Sequence, residues 1–220
     1  MKKKNSLILA LDVLSRDKAL ELTEQLVDHF DAIKVGYPLI LHAGLGIVEE
    51  ISSISPVIAD LKIADTPNTN RLICEAVLGA GAGAIIAQAF PGKDSLVACA
   101  DCARGFGADL FVVTEMSHPG AEQFMAPLAE RMARLAVESG ARGVVAPATH
   151  PERIRLIRSI IGDKLIISPG VGAQGGSAGQ ALQAGADYLI VGRSVYGSAD
   201  PLASTKELLD QIQSNYSNEI

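Results

Sequence analysis

The chain has 220 residues, enough for one large domain or two small ones with a sizeable buried core. Its 48% hydrophobic and 20% charged residues are a globular balance, and a net charge of -6 disfavours a nucleic-acid partner, whose phosphates it would repel. With 4% aromatics and no Trp, neither base stacking nor a membrane-interface belt is indicated.

The opening residues, MKKKNSLILALD, join a basic start to a short apolar run. That run meets Asp12 too soon for a signal peptide, and no small-residue cleavage site follows. No stretch reaches the roughly 18 apolar residues of a membrane span, so the expected setting is the cytoplasm, without a membrane partner.

The first strand is expected over Ser6–Leu11, followed by a helix over Arg16–Phe30 with Leu20, Leu22, Leu26, Val27 and Phe30 largely on one face. Strands at Ala32–Val35 and Val57–Leu61 come next, then a helix at Asn68–Leu78. The alternation continues with strand Ala84–Ala87, helix Ser95–Gly105, strand Leu110–Thr114 and helix Ala126–Glu138. It closes with strand Gly143–Ala146, helix Pro151–Ile160, and strands Leu165–Ser168 and Tyr188–Val191. Glycines at helix-to-strand junctions, as in GAGAGAII, SGARGVV and AGADYLI, suit helix C-terminal capping.

Strands alternating with helices mean parallel βαβ units, and eight such units predict an α/β fold, a compact (β/α)8 barrel. A doubly wound open sheet is the structural alternative. No Pro/Ser-rich linker or composition shift divides residues 1–220, so one domain is expected.

Cys74, Cys99 and Cys102 are an odd count, as in a reducing compartment. CADC (99–102) has C-x-x-C spacing but falls inside a predicted helix, with no second pair to complete a zinc site. The four histidines show no paired metal-ligand spacing, so no metal is expected.

In a (β/α)8 barrel the functional side chains gather at the C-terminal strand ends. Those ends carry Asp12, Lys34, Asp60 with Lys62, Gln88, Thr114 to Ser117, Pro147, Pro169, and Gly192 with Arg193. The first three strands therefore all end in charge. Asp60 and Lys62, two apart on one strand, project to the same side, toward the barrel mouth. Lys34, Asp60, Lys62 and Asp65 would form an alternating array in which each group keeps its neighbours ionised. A structural ion-pair network at the rim is the plainer alternative.

GVGAQG (170–175) matches G-x-G-x-x-G after a strand, but the next strand ends in Arg193 rather than the acid a dinucleotide site needs. In a barrel the loops after strands seven and eight commonly grip phosphate. Gly170, Gly172 and Gly192 let backbone N–H groups approach oxygens, and Arg193 can pair with them bidentately.

LILALD, KVGYPL, DLKIADTPNTN, TEMSHPGA, ISPGVGAQGG and IVGRSVY together resemble the orotidine 5'-phosphate decarboxylase family in its compact microbial form. The resemblance runs in order from Leu7 to about Tyr196. D-x-K-x-x-D alone is shared with 3-keto-L-gulonate 6-phosphate decarboxylases, a metal-using sister group. Lys34, where that group has an acidic metal ligand, and the GVGAQGG loop separate the two.

The resemblance implies decarboxylation of orotidine 5'-monophosphate to UMP without cofactor. Lys62 would protonate C6 of the pyrimidine, with Asp60 near the departing carboxylate, inside a Lys34–Asp60–Lys62–Asp65 network. Asp12 and Lys34 would hold ribose hydroxyls, and Ser117 would meet the pyrimidine. Substrate would also contact Pro169, Gly170, Val171 and Gly172, with Gln174, Gly192 and Arg193 on its phosphate. A homodimer is implied, in which Asp65 and Thr69 reach the partner's site. Gln88 and Ala148 stand where the family often has His and Ser. A sugar-phosphate decarboxylase and a silent nucleotide-binding barrel remain the alternatives.

Overall fold

The computed structural model describes residues 3–217. Eight strands alternate with helices and close into a parallel barrel in the order β1-β2-β3-β4-β5-β6-β7-β8, β8 pairing back onto β1. This excludes the doubly wound open sheet. The strands are β1 Leu7–Leu11, β2 Ala32–Gly36, β3 Val57–Ile63, β4 Ala84–Gln88, β5 Asp109–Val113, β6 Gly143–Val145, β7 Leu165–Pro169 and β8 Tyr188–Val191. Each expected strand is present, with ends moved by one or two residues.

Strand alternation sorts the side chains into two cores. Val57, Ala59, Leu61 and Ile63 of β3 face the helices, whereas Ile58 joins Ile8, Ala32, Ile86, Phe111, Ile167 and Tyr188 inside the barrel. The lower barrel is thus packed solid, and each fully buried Leu or Ile adds about 1.5–3 kcal/mol of apolar burial. Polar groups on the inward face are left to the upper end, where the strands terminate.

The helices follow from caps and apolar spacing. In α1 (Arg16–Leu26) the Ser15 hydroxyl accepts from the Lys18 N–H, and Ala19, Leu22, Thr23 and Leu26 face the core. The expected helix to Phe30 stops short: Val27–His29 form a 3-10 turn and Phe30 is extended, which starts the run into β2. The segment after β2 holds two helices, α2 (Tyr37–Ala43) and α3 (Gly46–Ser52), because Gly44 at φ 80 ends the first.

Beyond β3, α4 (Pro67–Gly79) starts with proline in its first turn, after extended Thr66, and α5 (Lys93–Gly105) carries both Cys99 and Cys102. A short α6 (Ala121–Phe124) precedes α7 (Ala129–Glu138); Ala126–Leu128, expected as part of that helix, is a separate 3-10 turn. The remaining helices are α8 (Pro151–Ile161), α9 (Ala178–Gln183), α10 (Arg193–Tyr196) and α11 (Pro201–Ser217). The expected junction glycines are in place, Gly81, Gly140 and Gly185 all having positive φ. Among the described residues no helix is long and apolar enough to cross a membrane.

Candidate active site

The first three strands deliver a row of charges to one side of the barrel mouth. Lys34 Nζ lies 3.0 Å from Asp60 Oδ2 and 3.6 Å from Asp12 Oδ1. Lys62 Nζ donates to both oxygens of Asp60, each at 3.0 Å. The row therefore reads Asp12, Lys34, Asp60, Lys62. Lys34 and Asp60 are buried, while the Lys62 side chain keeps 35% of its exposure and reaches the open mouth.

Burial and charge compete at each group. For Asp60 the largest effect is burial, which pushes its pKa up, but Lys34 and then Lys62 outweigh it and hold the carboxyl below its usual range. For Lys34 burial again is largest and pulls the pKa down, but Asp60 and then Asp12 outweigh it and the ammonium is raised. Both groups are thus ionised at neutral pH. The row has room because residue 36 is glycine: a Cβ there would sit 3.2 Å from Asp12 Oδ1 and 3.6 Å from Lys34 Nζ.

Lys62 has φ 42, in the left-handed region that costs a side-chain-bearing residue about 1–3 kcal/mol. The β3–β4 register slips between Ala59 and Ile63, around this residue. Lys62 still falls on the inward face with Asp60, as strand alternation predicts.

These charges line a cavity of about 250 Å³. Its floor and far wall are apolar, with Ala10, Ile86, Val113, Val145 and Ile190. Ser117 and Met116 from the segment after β5 line it too, as do Pro169, Gly170, Val171, Ala173 and Gln174 after β7 and Gly192 and Arg193 after β8. Gly170 has φ 100, and a Cβ on it would crowd Ser117 and Thr149 at 3.3 Å, so this turn suits glycine alone. Arg193 is exposed at the start of α10 and makes no ion pair among the described residues.

Most of the residues anticipated from sequence meet in this one cavity, and three do not. Gly172 faces away: its N–H donates to the Gly176 carbonyl at 3.1 Å, and a Cβ on it would meet Ser194, so this N–H is spent inside the loop. Asp65 and Thr69 also lie outside the cavity of their own chain. Asp65 is exposed, its Oδ1 accepting from the Thr66 N–H at 2.6 Å, so within one chain the row ends at Lys62 rather than extending to Asp65.

Gln88 Nε2 contacts Met116 Sδ at 3.8 Å, and Ala148 uses its N–H on the Pro169 carbonyl at 2.8 Å. The main residue without a sequence-assigned role is Glu115, which lines the cavity at 1% exposure. Its advance signals are its place just past the end of β5, in the inward-facing register of Phe111 and Val113, and its membership of the TEMSHPGA stretch. Among the described residues no group of three His, Cys, Asp or Glu is arranged to hold a metal ion.

Fold and site together define a (β/α)8 barrel enzyme with its working mouth at the C-terminal strand ends. Residues 5–208 match the Orotidine 5'-phosphate decarboxylase / HUMPS family, and the chain belongs to that family. It is 58% identical over 213 residues to an orotidine 5'-phosphate decarboxylase of Methanococcoides burtonii, covering 96% of this chain and 99% of that one. With the Methanosarcina acetivorans enzyme of the same name it shares 55% over 220 residues, the full length of both. Among solved structures, orotidine 5'-monophosphate decarboxylase from Methanocaldococcus jannaschii, complexed with the inhibitor BMP, superposes with TM-score 0.90 at 43% identity, covering 94% of this chain and 97% of that one. The Pyrococcus horikoshii enzyme superposes at 0.87, also at 43% identity, over 94% and 99% of the two chains.

Proposed function

We infer that this protein is a carboxy-lyase that converts orotidine 5'-monophosphate to UMP and carbon dioxide in pyrimidine biosynthesis, without a cofactor. The observation that carries this is the Lys34–Asp60–Lys62 row, an ionised acid between two ammonium groups, set against an apolar wall in a barrel of this family.

The chemistry follows from that geometry. The substrate carboxylate would lie beside Asp60, and the C6–carboxylate bond breaks with its electron pair left on C6. Lys62 Nζ gives its proton to that carbon, forming the C6–H bond of UMP, and the neutral amine regains a proton from water. Lys34 stays charged and keeps Asp60 ionised through the cycle, so Asp60 does not compete for the Lys62 proton. A unit-charge contact at about 4 Å is worth roughly 4 kcal/mol at an effective dielectric near 20, enough to shape such a step. The apolar residues Ile86, Val113 and Val145 would meet the departing neutral carbon dioxide.

Asp12 and Lys34 would bind ribose hydroxyls, and Ser117 the pyrimidine. Arg193, Gln174 and the backbone around Pro169, Gly170, Val171 and Gly192 would hold the phosphate. Binding there would draw the loop at Gln174 over the ligand, putting remote binding energy to use at the reacting carbon. The working unit in this reading is a homodimer, each chain lending Asp65 and Thr69 to its partner's cavity. The exposed position of Asp65, outside the cavity of its own chain, supports that part.

The direct test is UMP formation from orotidine 5'-monophosphate, followed by ultraviolet absorbance in the presence of a chelator. Turnover under those conditions is expected. A folded protein that is silent, or that needs magnesium, would return a sugar-phosphate substrate to the front.

A further inference from the structure

Asn70 and Ser95 form a polar group that the proposed mechanism does not use. Asn70 lies in the first turns of α4 and is fully buried, and Ser95 lies in the first turn of α5 at 2% exposure. Asn70 Oδ1 accepts from the Asp65 N–H at 2.9 Å. Its Nδ2 donates to Ser95 Oγ at 2.6 Å and lies 3.3 Å from the Ser95 carbonyl. Ser95 Oγ in turn donates to the Asp65 carbonyl at 3.1 Å. The bonds close a ring of consistent direction: Asp65 N–H to Asn70, Asn70 to Ser95, Ser95 to Asp65 C=O.

Both peptide groups flanking the Asp65 side chain are therefore clamped from the buried side. That matters because of what lies three residues earlier. Lys62 has positive φ, in a stretch where strand register slips, so β3 alone does not fix the direction of the chain beyond it. The hydroxyl and amide supply the missing constraint. They cost little in solvation only because every polar atom in the ring has a partner.

We propose that Asn70 and Ser95 are positioning residues that aim Asp65 out of its own subunit and into the neighbouring active site. The proposal rests on the shared-site reading above. It assigns them an effect on the partner's chemistry rather than on their own chain's cavity.

The test is subunit complementation. Asn70→Ala should lower kcat by about 100-fold, the scale on which small misplacements act, while UMP affinity stays within about twofold. Exchanged with an equal amount of Lys62→Ala, it should restore about a quarter of wild-type activity, as Asp65→Asn does in the same experiment. Asn70→Ala and Asp65→Asn on one chain should be no worse than Asp65→Asn alone. If the Asp65→Asn pairing complements and the Asn70→Ala pairing does not, the clamp proposal falls and the shared site stands. If neither complements after verified exchange, the shared site falls and takes the clamp with it. Unchanged kcat in Asn70→Ala also overturns the proposal. Should Asn70→Ala not fold, Ser95→Ala deletes a single oxygen and carries the same three measurements.

Discussion

Glu115 and Arg153 face one another without joining. Glu115 Oε2 lies 3.9 Å from Arg153 Nε, and that oxygen has no hydrogen-bond partner among the described residues. Burial raises the Glu115 pKa, and the pull of Arg153 and then His150 in the other direction is too weak to cancel it.

A raised carboxyl favours the folded state when protonated. Its benefit is complete below the unfolded value, near 4.3, and is lost as pH climbs through the higher folded value. Glu115→Gln keeps the shape and abolishes the titration. It should be more stable than wild type at pH 7, because it removes the burial cost of the carboxylate charge, and lose that lead near pH 4, where the carboxyl is neutral too. Urea unfolding at several pH values measures this. A difference that does not change with pH would mean the carboxyl is not what titrates.

Lys62→Ala is expected to abolish decarboxylation while leaving UMP binding within a few-fold, because Arg193 and the loops assigned to phosphate follow β7 and β8, away from β3. Lys62→Gly should be equally inactive but more stable than Lys62→Ala by about 1 kcal/mol, since glycine accepts positive φ freely. Calorimetric titration with UMP and thermal unfolding separate these effects. Near-wild-type turnover by either variant would end the proton-donor assignment.

Arg193→Ala removes the exposed guanidinium beside Gly192. It should weaken UMP binding by about 2–5 kcal/mol while hardly changing the affinity for uridine, which lacks the phosphate. Equal losses for nucleotide and nucleoside would move the phosphate site elsewhere.

Mixed dimers of Lys62→Ala and Asp65→Asn test the shared site. Each homodimer should be nearly inactive. In a heterodimer one cavity collects both defects and the other collects none, so random exchange of equal amounts should restore about a quarter of wild-type activity. Sedimentation must first show a dimer. No recovery after verified exchange would keep Asp65 within its own chain.

The barrel was legible because its strands are short β-rich runs at regular intervals, and the charged row because Asp12, Lys34, Asp60 and Lys62 all stand where such runs end. What escaped has physical reasons too. Nothing in ADLKIAD shows that Lys62 leaves the strand's backbone conformation, because that depends on how β3 meets β4. From sequence alone Asp65 joins Lys34, Asp60 and Lys62 in one array, yet Asp65 is exposed outside its own chain's cavity and accepts from the Thr66 N–H. Asn70 and Ser95 meet across two helices, a distance no periodicity covers. Glu115 stands inside TEMSHPGA without a role attached to it, and its burial comes from the tertiary setting.

The pairing of Leu7 with Leu189 has a consequence for how the protein is made. During synthesis β1 leaves the ribosome long before β8, and it must wait unpaired on one side until β8 has been made. Asp12 follows β1 and Arg193 follows β8, so the two ends of the pocket are first brought together by that same last pairing. A chain truncated before Tyr188 would keep the complete charged row and still present two open sheet edges, on β1 and β7. Such fragments should be sticky and bind no nucleotide, so closing the barrel both buries the last open edges and completes the pocket.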